Sequence, residues 1–537
     1  MSELNKFVQK AAADYLQSVV FVDDEIYNGN SGKPFNGEIS IEGIGAGLIT
    51  QFEDDNETHL TEGNPKTGNI ISETTATDSP VNISPDYHPR ELMESFAHMG
   101  ITCALYEPRE GYETGPTSDL FRLCERADVV ILDWDVHDDD GDSASDLLTE
   151  LIEKSQNDIP HQVRLCVIYT LRPRLHAILD SLLSKLETRG CIVTVIEGKL
   201  KLISGSTRIS IFGKPQAAGR SPAESAYEVK ESDLAKQIVA EFSEMHNGLL
   251  PGYTLHGLAS IRRNSKRILD RFHANLDGAF LFHRHLVEYS EEAFDQLPEL
   301  LSDEIRAVVE DERISISKTK LLAADTLRKG HIEPSDKDLI EQLNNNTKPK
   351  NAVKKLKSAE NVPTGHLNLA ALFSSRTQYT SASRQLRFGT VVKHRIKRSR
   401  SFNYAICLVP DCDSLRLKGP QVEFPFWTLD DEKFKNGPNR NGVILEIEKE
   451  MHVILSASGK AGEKLWTESF DIDKNTKTVV AHKNNKTYKY SGCVKTVEWI
   501  GQLKPLHAHR IARSITQGLS RVGVSEAEWV RLVCEKS

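Results

Sequence analysis

Five polar residues in the first half of the chain could together carry out chemistry on a phosphoryl group. Asp23, Asp24, Asp133, Thr170 and Lys214 each follow a short apolar run within one or two residues. Carboxylates placed together can hold Mg²⁺, which prefers oxygen ligands, and a carboxylate can also accept a phosphoryl group covalently. An ammonium and a hydroxyl on the other side would stabilise the charge on the transferring group. The residue types therefore predict an acidic pocket for Mg²⁺ and phosphoryl transfer to an aspartate.

The apolar runs before these residues predict the elements that would position them. They are rich in β-branched residues and too short for helices, which is typical of buried parallel strands. In an open α/β sheet, ligands bind beyond the carboxyl ends of the strands, so we expect the polar residues to converge there. The runs are 18–22, 129–132, 165–169 and 209–212.

This part of the chain resembles the receiver domain of bacterial two-component response regulators. The segment Val19–Glu25 resembles the first receiver strand with its acidic pair, and Leu132–Asp135 resembles the phosphoacceptor strand. Gly141 lies where receivers usually carry a loop glycine. The resemblance implies that Asp133 is the phosphoacceptor and that Thr170 and Lys214 bind the phosphoryl oxygens. It also implies a Mg²⁺ site made of Asp23, Asp24, Asp133 and the backbone carbonyl of Asp135, and a cis-proline at Pro215.

The chain departs from the receiver pattern at three places. Leu171 follows Thr170 where receivers keep a small residue, which predicts restricted access to Asp133. Ile211 occupies the position of the usual switch Tyr or Phe, with Phe212 one place later. This argues against coupling of phosphorylation to the rest of the domain through the rotamer of an aromatic side chain. An insert at 26–88 separates the first strand from its expected helix, and it is far longer than the usual connection of a few residues.

Strands alternating with helices predict a receiver-like (flavodoxin-like), doubly wound parallel sheet. We expect helices near 89–98, 119–126, 143–156 and 175–188, a strand at 101–106, and a hairpin of 192–196 with 199–203 before the last strand. Receivers lack that hairpin.

A helical region and a β-rich C-terminal region are predicted to follow. Apolar residues at three- and four-residue spacing favour helices from 233 to about 316, with a break at Pro251-Gly252. Strands are predicted at 386–392, 404–409, 443–447, 451–455, 478–481 and 494–499, forming a small barrel or sandwich, followed by helices at 505–522 and 526–534. The predicted domains are 1–230 (receiver-like), 231–343 (helical connector or dimerisation region), 344–365 (linker) and 366–537 (β-rich).

Composition narrows the class of protein. With 39% hydrophobic and 27% charged residues, the 537-residue chain reads as an ordinary globular protein of several domains. No apolar run is long enough to span a membrane, so we expect a cytoplasmic protein. The eight cysteines form no Cys-x-x-Cys pair, which argues against a structural zinc site. The net charge of −10 disfavours general nucleic-acid binding, leaving only the basic loop 393–400 as a contact for phosphates or an acidic partner.

The leading functional hypothesis is a signalling protein. A partner kinase would phosphorylate Asp133, and the modification would shift a surface that controls the C-terminal region. The loop Val409–Arg416 and the ending Ser520–Gly523 resemble large receiver-like proteins encoded beside histidine-kinase-type ATPases in bacterial defence neighbourhoods, which implies such a partner and a role in antiphage defence. A homodimer is also compatible with the helical region.

Two alternatives stay open at the level of sequence. In a phosphohydrolase of the haloacid-dehalogenase type, Asp133 would be the nucleophile and Asp135 the general acid, but Asp23 and Asp24 would have no role. In a pseudo-receiver, the pocket would bind metal or a partner without ever being phosphorylated.

Overall fold

The structure is a computed structural model with two compact units, Met1–Ser315 and Ile316–Ser537. It describes residues 2–26, 89–157, 162–215, 217–286, 296–330, 362–378, 383–395, 401–415, 417–431, 442–448, 451–457, 464–485 and 487–519. Apart from Ile26, the insert predicted at 26–88 lies outside these residues. No helix in the described part of the chain has both the length and the apolar character needed to cross a bilayer. The predicted domain boundaries at 230, 343 and 365 stay predictions.

The first unit is built on a seven-stranded sheet. In chain order its strands are β1 (Ser18–Val22), β2 (Thr102–Tyr106), β3 (Val129–Leu132), β4 (Arg164–Thr170), β5 (Thr194–Val195), β6 (Lys201–Ser204) and β7 (Thr207–Gly213). The order across the sheet is β2-β1-β3-β4-β7-β6-β5, and the first five strands are parallel. This is the order of a flavodoxin-like sheet, in which the chain reverses its direction of winding beside β1 and β3. The predicted fold class is confirmed.

Helices cover both faces of this sheet, as expected for strands that are apolar on both sides. The elements are α1 (Glu3–Tyr15), α2 (Pro89–His98), α3 (Asp119–Arg126), α4 (Asp142–Asn157), α5 (Leu175–Thr188), α6 (Pro222–Ser225), α7 (Glu231–Met245) and α8 (Leu249–Arg271). Apolar residues of α3, α4 and α5 form the core on one face. Residues of α1, α2, α7 and α8 form the core on the other face, so α7 and α8 pack against the sheet as part of the first unit.

The hairpin predicted before the last strand is present but shorter than expected. Strands β5 and β6 pair antiparallel with each other, and β6 pairs antiparallel with β7. A buried ion pair fixes the hairpin to α7, because Lys201 on β6 donates to Glu241 at 2.8 Å and to Glu244 at 2.6 Å. The hairpin therefore extends the parallel sheet by two antiparallel strands that are fixed to a neighbouring helix.

The helical region begins as the spacing predicts, but its break lies a few residues earlier. Helix α7 ends at Met245 and α8 starts at Leu249, so Pro251 lies in the first turn of α8, where its missing N–H has no intrahelical partner to lose. Gly252 faces α1, and a Cβ there would lie 2.8 Å from the Val8 side chain. Three more helices follow: α9 (Asp277–Leu286), α10 (Leu297–Asp311) and α11 (Ile316–Gly330).

The second unit contains helix α12 (Val362–Ser374), a ten-stranded sheet and helix α13 (Pro505–Leu519). Its strands are β8 (Arg384–Gln385), β9 (Thr390–Arg395), β10 (Asn403–Cys407), β11 (Gln421–Asp431), β12 (Gly442–Glu448), β13 (Met451–Ser456), β14 (Leu465–Asp471), β15 (Val480–Asn484), β16 (Thr487–Lys489) and β17 (Thr496–Gln502). All their pairings are antiparallel, and the strands belong to one hydrogen-bonded sheet rather than to two sheets of a sandwich. The second predicted terminal helix, 526–534, lies outside the described residues.

The strand predictions for this unit differ from the structure at several places. Only the last three residues of the predicted strand 386–392 are strand, because Gly389 has φ +77° and the chain turns between β8 and β9. The longest strand, β11, was missed because Pro425 lies in its middle, and proline normally argues against a strand. Here the missing N–H is tolerated, and the Pro425 carbonyl accepts a hydrogen bond from the Leu408 amide at 2.9 Å.

Candidate functional site

The predicted site residues follow four adjacent strands at the carboxyl edge of the first sheet. Asp23 follows β1, Asp133 follows β3, Thr170 ends β4 and Lys214 follows β7. The parallel ladder continues past the strand ends, since the Asp133 amide donates to the Val22 carbonyl and the Lys214 amide donates to the Thr170 carbonyl, both at 2.8 Å. All four side chains are buried, with Asp23 fully buried and Asp133 8% exposed. The sheet thus brings together residues far apart in sequence.

Lys214 joins the two buried aspartates. Its Nζ lies 2.6 Å from Asp23 Oδ2 and 2.6 Å from Asp133 Oδ2. The ammonium also lies 5.8 Å from the centre of the Tyr169 ring. Charge-assisted hydrogen bonds of this length are among the strong ones in proteins, so the ammonium fixes both carboxylates.

Burial and the neighbouring charges shift the pKa values of Asp23 and Lys214. Burial raises the pKa of Asp23 to about 6, and nearby Asp133 raises it too, although Lys214 acts in the opposite direction. Burial tends to lower the pKa of Lys214, but the two carboxylates outweigh it and raise the pKa above its usual value. Lys214 is therefore a permanent cation here, while Asp23 is held ionised against a desolvation cost.

Asp24 lies outside the buried group and contacts the loop after β3. Its Oδ2 accepts a hydrogen bond from the His137 amide at 2.8 Å and lies 3.2 Å from His137 Nδ1. The Nε2 of the same ring lies 3.0 Å from the Pro108 carbonyl oxygen. In this structure Asp24 holds the loop that follows the proposed phosphoacceptor.

The loop after Asp133 has an unusual backbone. His137, Asp138 and Asp140 have φ values of 56°, 59° and 50°, and Gly141 has φ +80°. Left-handed backbone is costly for residues with a Cβ, and such residues are concentrated at functional sites. Glycine is required at position 141 for two reasons: its φ is in the left-handed region, and a Cβ there would lie 2.3 Å from the buried Trp134 ring. The loop glycine singled out in the sequence is therefore needed for this conformation.

The Asp135 side chain joins the loops that follow β3 and β4. Its Oδ2 makes an ion pair with Arg172, and its Oδ1 accepts a hydrogen bond from the Asp140 amide at 3.1 Å. Arg172 follows the partly exposed Leu171 in the loop after β4, and its amide donates to Thr170 Oγ1 at 3.2 Å. Sequence reasoning missed both Arg172 and His137, because neither belongs to a motif or follows a strand directly.

The expectation of a cis peptide bond before Pro215 is wrong. The Lys214–Pro215 bond is trans, which is the lower-energy isomer by about 0.5–1 kcal/mol for an X-Pro bond. In this isomer the Lys214 carbonyl accepts a hydrogen bond from Arg220 Nη1 at 2.7 Å. Lys214 therefore reaches the carboxylates without a cis turn behind it.

The chemistry of the pocket fits Mg²⁺. Asp23 and Asp133 supply hard oxygen donors, and the Asp135 carbonyl could add a third. The buried group holds two carboxylates against one ammonium, with Asp24 nearby, so negative charge is in excess. Within the described ranges, however, no three His, Cys, Asp or Glu side chains are grouped as a metal site would need. The fit therefore rests on two carboxylates, the number that Mg²⁺ usually takes from a protein.

Comparison with known proteins gives one match. A family model described as "Response receiver domain" matches residues 15–219. Neither the curated proteins nor the solved structures contain a match to this chain. The match covers the whole seven-stranded sheet and every predicted site residue, from Asp23 to Pro215. Residues 15–219 of this chain are therefore a response receiver domain.

Proposed function

We propose that this protein is a phosphoacceptor in signal transduction and that Asp133 takes a phosphoryl group from a histidine-kinase-type partner. The observation that carries the proposal is the position of Lys214 Nζ, 2.6 Å from the carboxylates of both Asp133 and Asp23. A permanent cation beside a buried aspartate at the carboxyl edge of the sheet is suited to receiving an anionic group.

In the proposed reaction, an Asp133 carboxylate oxygen forms a bond to phosphorus while the bond between phosphorus and the donor breaks. The electron pair of that bond leaves with the donor, which is acetate when the donor is acetyl phosphate. Lys214 and the Thr170 hydroxyl would bind the phosphoryl oxygens. Bound Mg²⁺, held by Asp23, Asp133 and the Asp135 carbonyl, would offset the negative charge that otherwise keeps a carboxylate and a phosphoryl group apart.

Phosphorylation would change the partners of Lys214. The ammonium is now shared between Asp23 and Asp133, and a phosphoryl group on Asp133 would bring new acceptor oxygens to the same side. Such a change of partner can shift the balance between two conformations of the surrounding loops. We propose that the C-terminal unit responds to the phosphorylated state of the receiver domain. From the resemblance noted above, we also propose that the protein acts in antiphage defence.

The contacts of Asp135 disfavour the phosphohydrolase alternative. A general acid must have an oxygen that can face the leaving group, whereas one Asp135 oxygen is paired with Arg172 and the other accepts a hydrogen bond from the Asp140 amide. The hydrolase hypothesis also leaves the Asp23–Lys214 pair without a chemical role.

One observation favours the pseudo-receiver as the second candidate. The Arg172–Asp135 ion pair joins the loops that follow β3 and β4, and Asp133 is only 8% exposed. A phosphodonor would have to approach a carboxylate that is almost buried.

The experiment that tests the proposal is intact-mass measurement after incubation with Mg²⁺ and acetyl phosphate, and separately with the partner kinase and ATP. Asp133→Asn removes the phosphoacceptor. Asp138→Asn is the matched control, since Asp138 is an exposed residue of the same loop and asparagine tolerates its left-handed backbone. We expect the gain of one phosphoryl group in the native chain and in Asp138→Asn, and none in Asp133→Asn.

Other outcomes would contradict the proposal. Repeated release of phosphate from small phosphoesters would establish the hydrolase. Binding of Mg²⁺ with no modification by either donor would establish the pseudo-receiver.

A further inference from the structure

One arginine makes hydrogen bonds to the backbone of both strand ends that carry the proposed phosphoryl-binding residues. Arg220 Nη1 donates to the Lys214 carbonyl at 2.7 Å. Its Nη2 donates to the Thr170 carbonyl at 3.2 Å and to the Arg172 carbonyl at 3.0 Å. We name this set of three contacts the Arg220 bridge. It spans the ends of β4 and β7 from behind the pocket.

The Arg220 bridge is buried and charge-balanced. The Arg220 side chain is 1% exposed, and its Nη1 also lies 3.1 Å from Glu228 Oε1. The neighbouring Ser225 hydroxyl donates to the same carboxylate oxygen at 3.1 Å. The guanidinium therefore lies in a prepared position, with its charge met by one carboxylate and its remaining Nη donors directed at backbone carbonyls.

Gly213 leaves the space that the guanidinium fills. A Cβ at Gly213 would lie 2.3 Å from Arg220 Nη1 and 2.4 Å from its Cζ. Gly213 is the last residue of β7, immediately before Lys214, and its φ is not in the left-handed region. The position therefore excludes a side chain because of Arg220 and not because of its own backbone conformation.

We propose that Arg220 is a positioning residue for phosphoryl transfer: it fixes the ends of β4 and β7 together so that Thr170 and Lys214 face Asp133 in a single arrangement. The function assigned to the bridge rests on the proposed phosphorylation of Asp133. Arg220 acts only through the backbone and does not contact the reacting atoms.

The geometry of the Arg220 bridge requires arginine. A guanidinium presents donors in a rigid planar fork, whereas a lysine ammonium is a single point charge and would not reach three carbonyls in the same arrangement. Arg220 and Glu228 both lie beyond residue 219, where the family match ends. The match itself therefore assigns no role to either residue.

The first test is hydrogen exchange of the backbone amides in the full-length chain. The Lys214 amide donates to the Thr170 carbonyl and the Arg172 amide donates to Thr170 Oγ1, so both report on the joined strand ends. In Arg220→Met we expect these amides to exchange about tenfold faster or more, while β1 and β3 keep their protection. Unchanged exchange at Lys214 and Arg172 would overturn the proposal.

A second variant covers the case in which Arg220→Met fails to fold. Gly213→Ala leaves the arginine in place but displaces its guanidinium, so it should reproduce the local loss of protection. Ser225→Ala is the control, because Ser225 is exposed and its hydroxyl donates to Glu228 rather than to Arg220, so the guanidinium keeps its carboxylate and its three carbonyl contacts; its exchange at Lys214 should stay close to that of the native chain. Equal effects in all three variants would mean that a general loss of stability is responsible, and the proposal would fail.

The second test is the rate of Asp133 phosphorylation by acetyl phosphate, corrected for the folded fraction. Arg220→Lys, Arg220→Met and Gly213→Ala should each be slower by about tenfold or more, because small displacements of positioning groups have large effects on rate. Ser225→Ala, which leaves Arg220 and Glu228 paired, should stay near the native rate. A native rate in Arg220→Met despite faster local exchange would show that the bridge is only structural.

The two tests distinguish a failure of the proposed role of the Arg220 bridge from a failure of the proposed phosphorylation of Asp133. If the native chain is never modified at Asp133, the proposed function fails, while hydrogen exchange still decides whether Arg220 holds the two strand ends.

Discussion

Two buried lysines in the first unit each bind two carboxylates, but their surroundings differ. Lys201 Nζ lies 2.8 Å from Glu241 and 2.6 Å from Glu244, and Lys214 Nζ lies 2.6 Å from both Asp23 and Asp133. The two glutamates of the first site come from neighbouring turns of one helix, α7. The two aspartates of the second site come from the ends of two different strands.

The charge balance of the two sites is opposite. At the Lys201 site, Glu244 also pairs with Lys199 at 2.6 Å and with Arg208 at 3.6 Å, so cations match or exceed carboxylates. These cations outweigh the effect of burial and lower the pKa of Glu244 to about 2, whereas burial and Asp133 raise the pKa of Asp23 to about 6. The same kind of ion pair thus has a structural role where the charges balance. Where negative charge is in excess, it leaves a site suited to a cation or to reaction with a phosphoryl group.

The largest expected contrast comes from replacing each lysine by methionine. Lys214→Met should lower the rate of Asp133 phosphorylation by about 100-fold or more, since it removes charge stabilisation of the transferring group. Lys201→Met should leave the rate per folded molecule near the native value but lower the free energy of unfolding by about 3–5 kcal/mol, because it leaves a buried carboxylate unpaired. Intact mass and chemical denaturation measure the two effects.

The comparison would break if Lys201→Met slowed phosphorylation as much as Lys214→Met. The conservative variant Lys214→Arg is a useful control, because it keeps the charge and alters only the shape of the donor.

A smaller contrast is expected in the pH dependence of Asp23. A folded-state pKa of about 6 lies above the usual aspartate value of 3.8, so the stability contributed by this group is fully present below pH 3.8 and is lost as the pH rises through about 6. Asn does not titrate. The free energy of unfolding of Asp23→Asn, relative to the native chain, should therefore shift in favour of the variant by about 2.4 kcal/mol between pH 4 and pH 7.

Denaturation at several pH values measures this shift. Asp24→Asn is the matched control, since Asp24 lies outside the buried group and contacts His137. If the free energy of unfolding of Asp23→Asn, relative to the native chain, did not change between pH 4 and pH 7, Lys214 would fully offset the effect of burial on the pKa of Asp23.

The smallest effect is expected at Glu244. Its pKa of about 2 lies below the usual glutamate value of 4.5, so its contribution to stability is present above pH 4.5 and is lost as the pH falls through about 2. The Glu244 side chain is 39% exposed, and solvent screening should keep the effect of Glu244→Gln at neutral pH below about 1 kcal/mol. Acid titration followed by circular dichroism would test the direction, which is opposite to that of Asp23. A variant whose disadvantage grew on acidification would contradict it.

The sequence predicted the residues at strand ends well, because a short apolar run followed by a polar residue carries a local signal. The strands β1, β3, β4 and β7 follow from such runs, and the rules for parallel sheets place Asp23, Asp133, Thr170 and Lys214 at one edge; the flavodoxin-like class came with the resemblance to receivers. Gly141 was also recognised, and the structure adds the reason in its contact with Trp134.

Other features could not be predicted because they depend on contacts between distant parts of the chain. The Arg172–Asp135 ion pair and the Arg220 bridge join loops whose residues belong to no motif. Strand β11 was missed since Pro425 is a reliable signal against strands in most contexts. The trans bond before Pro215 depends on how the following loop folds, which the dipeptide itself does not encode.

Trp134 has a consequence for how this protein can be observed. It follows Asp133 directly, its ring is buried against Gly141, and the Lys185 ammonium lies 5.2 Å from the ring centre. The other four tryptophans, Trp427, Trp466, Trp499 and Trp529, all belong to residues 316–537. A chain in which those four are replaced by phenylalanine would carry a single tryptophan, beside the phosphoacceptor, whose emission can be excited apart from that of the tyrosines. Its emission would then report events in the receiver pocket in real time without any added label.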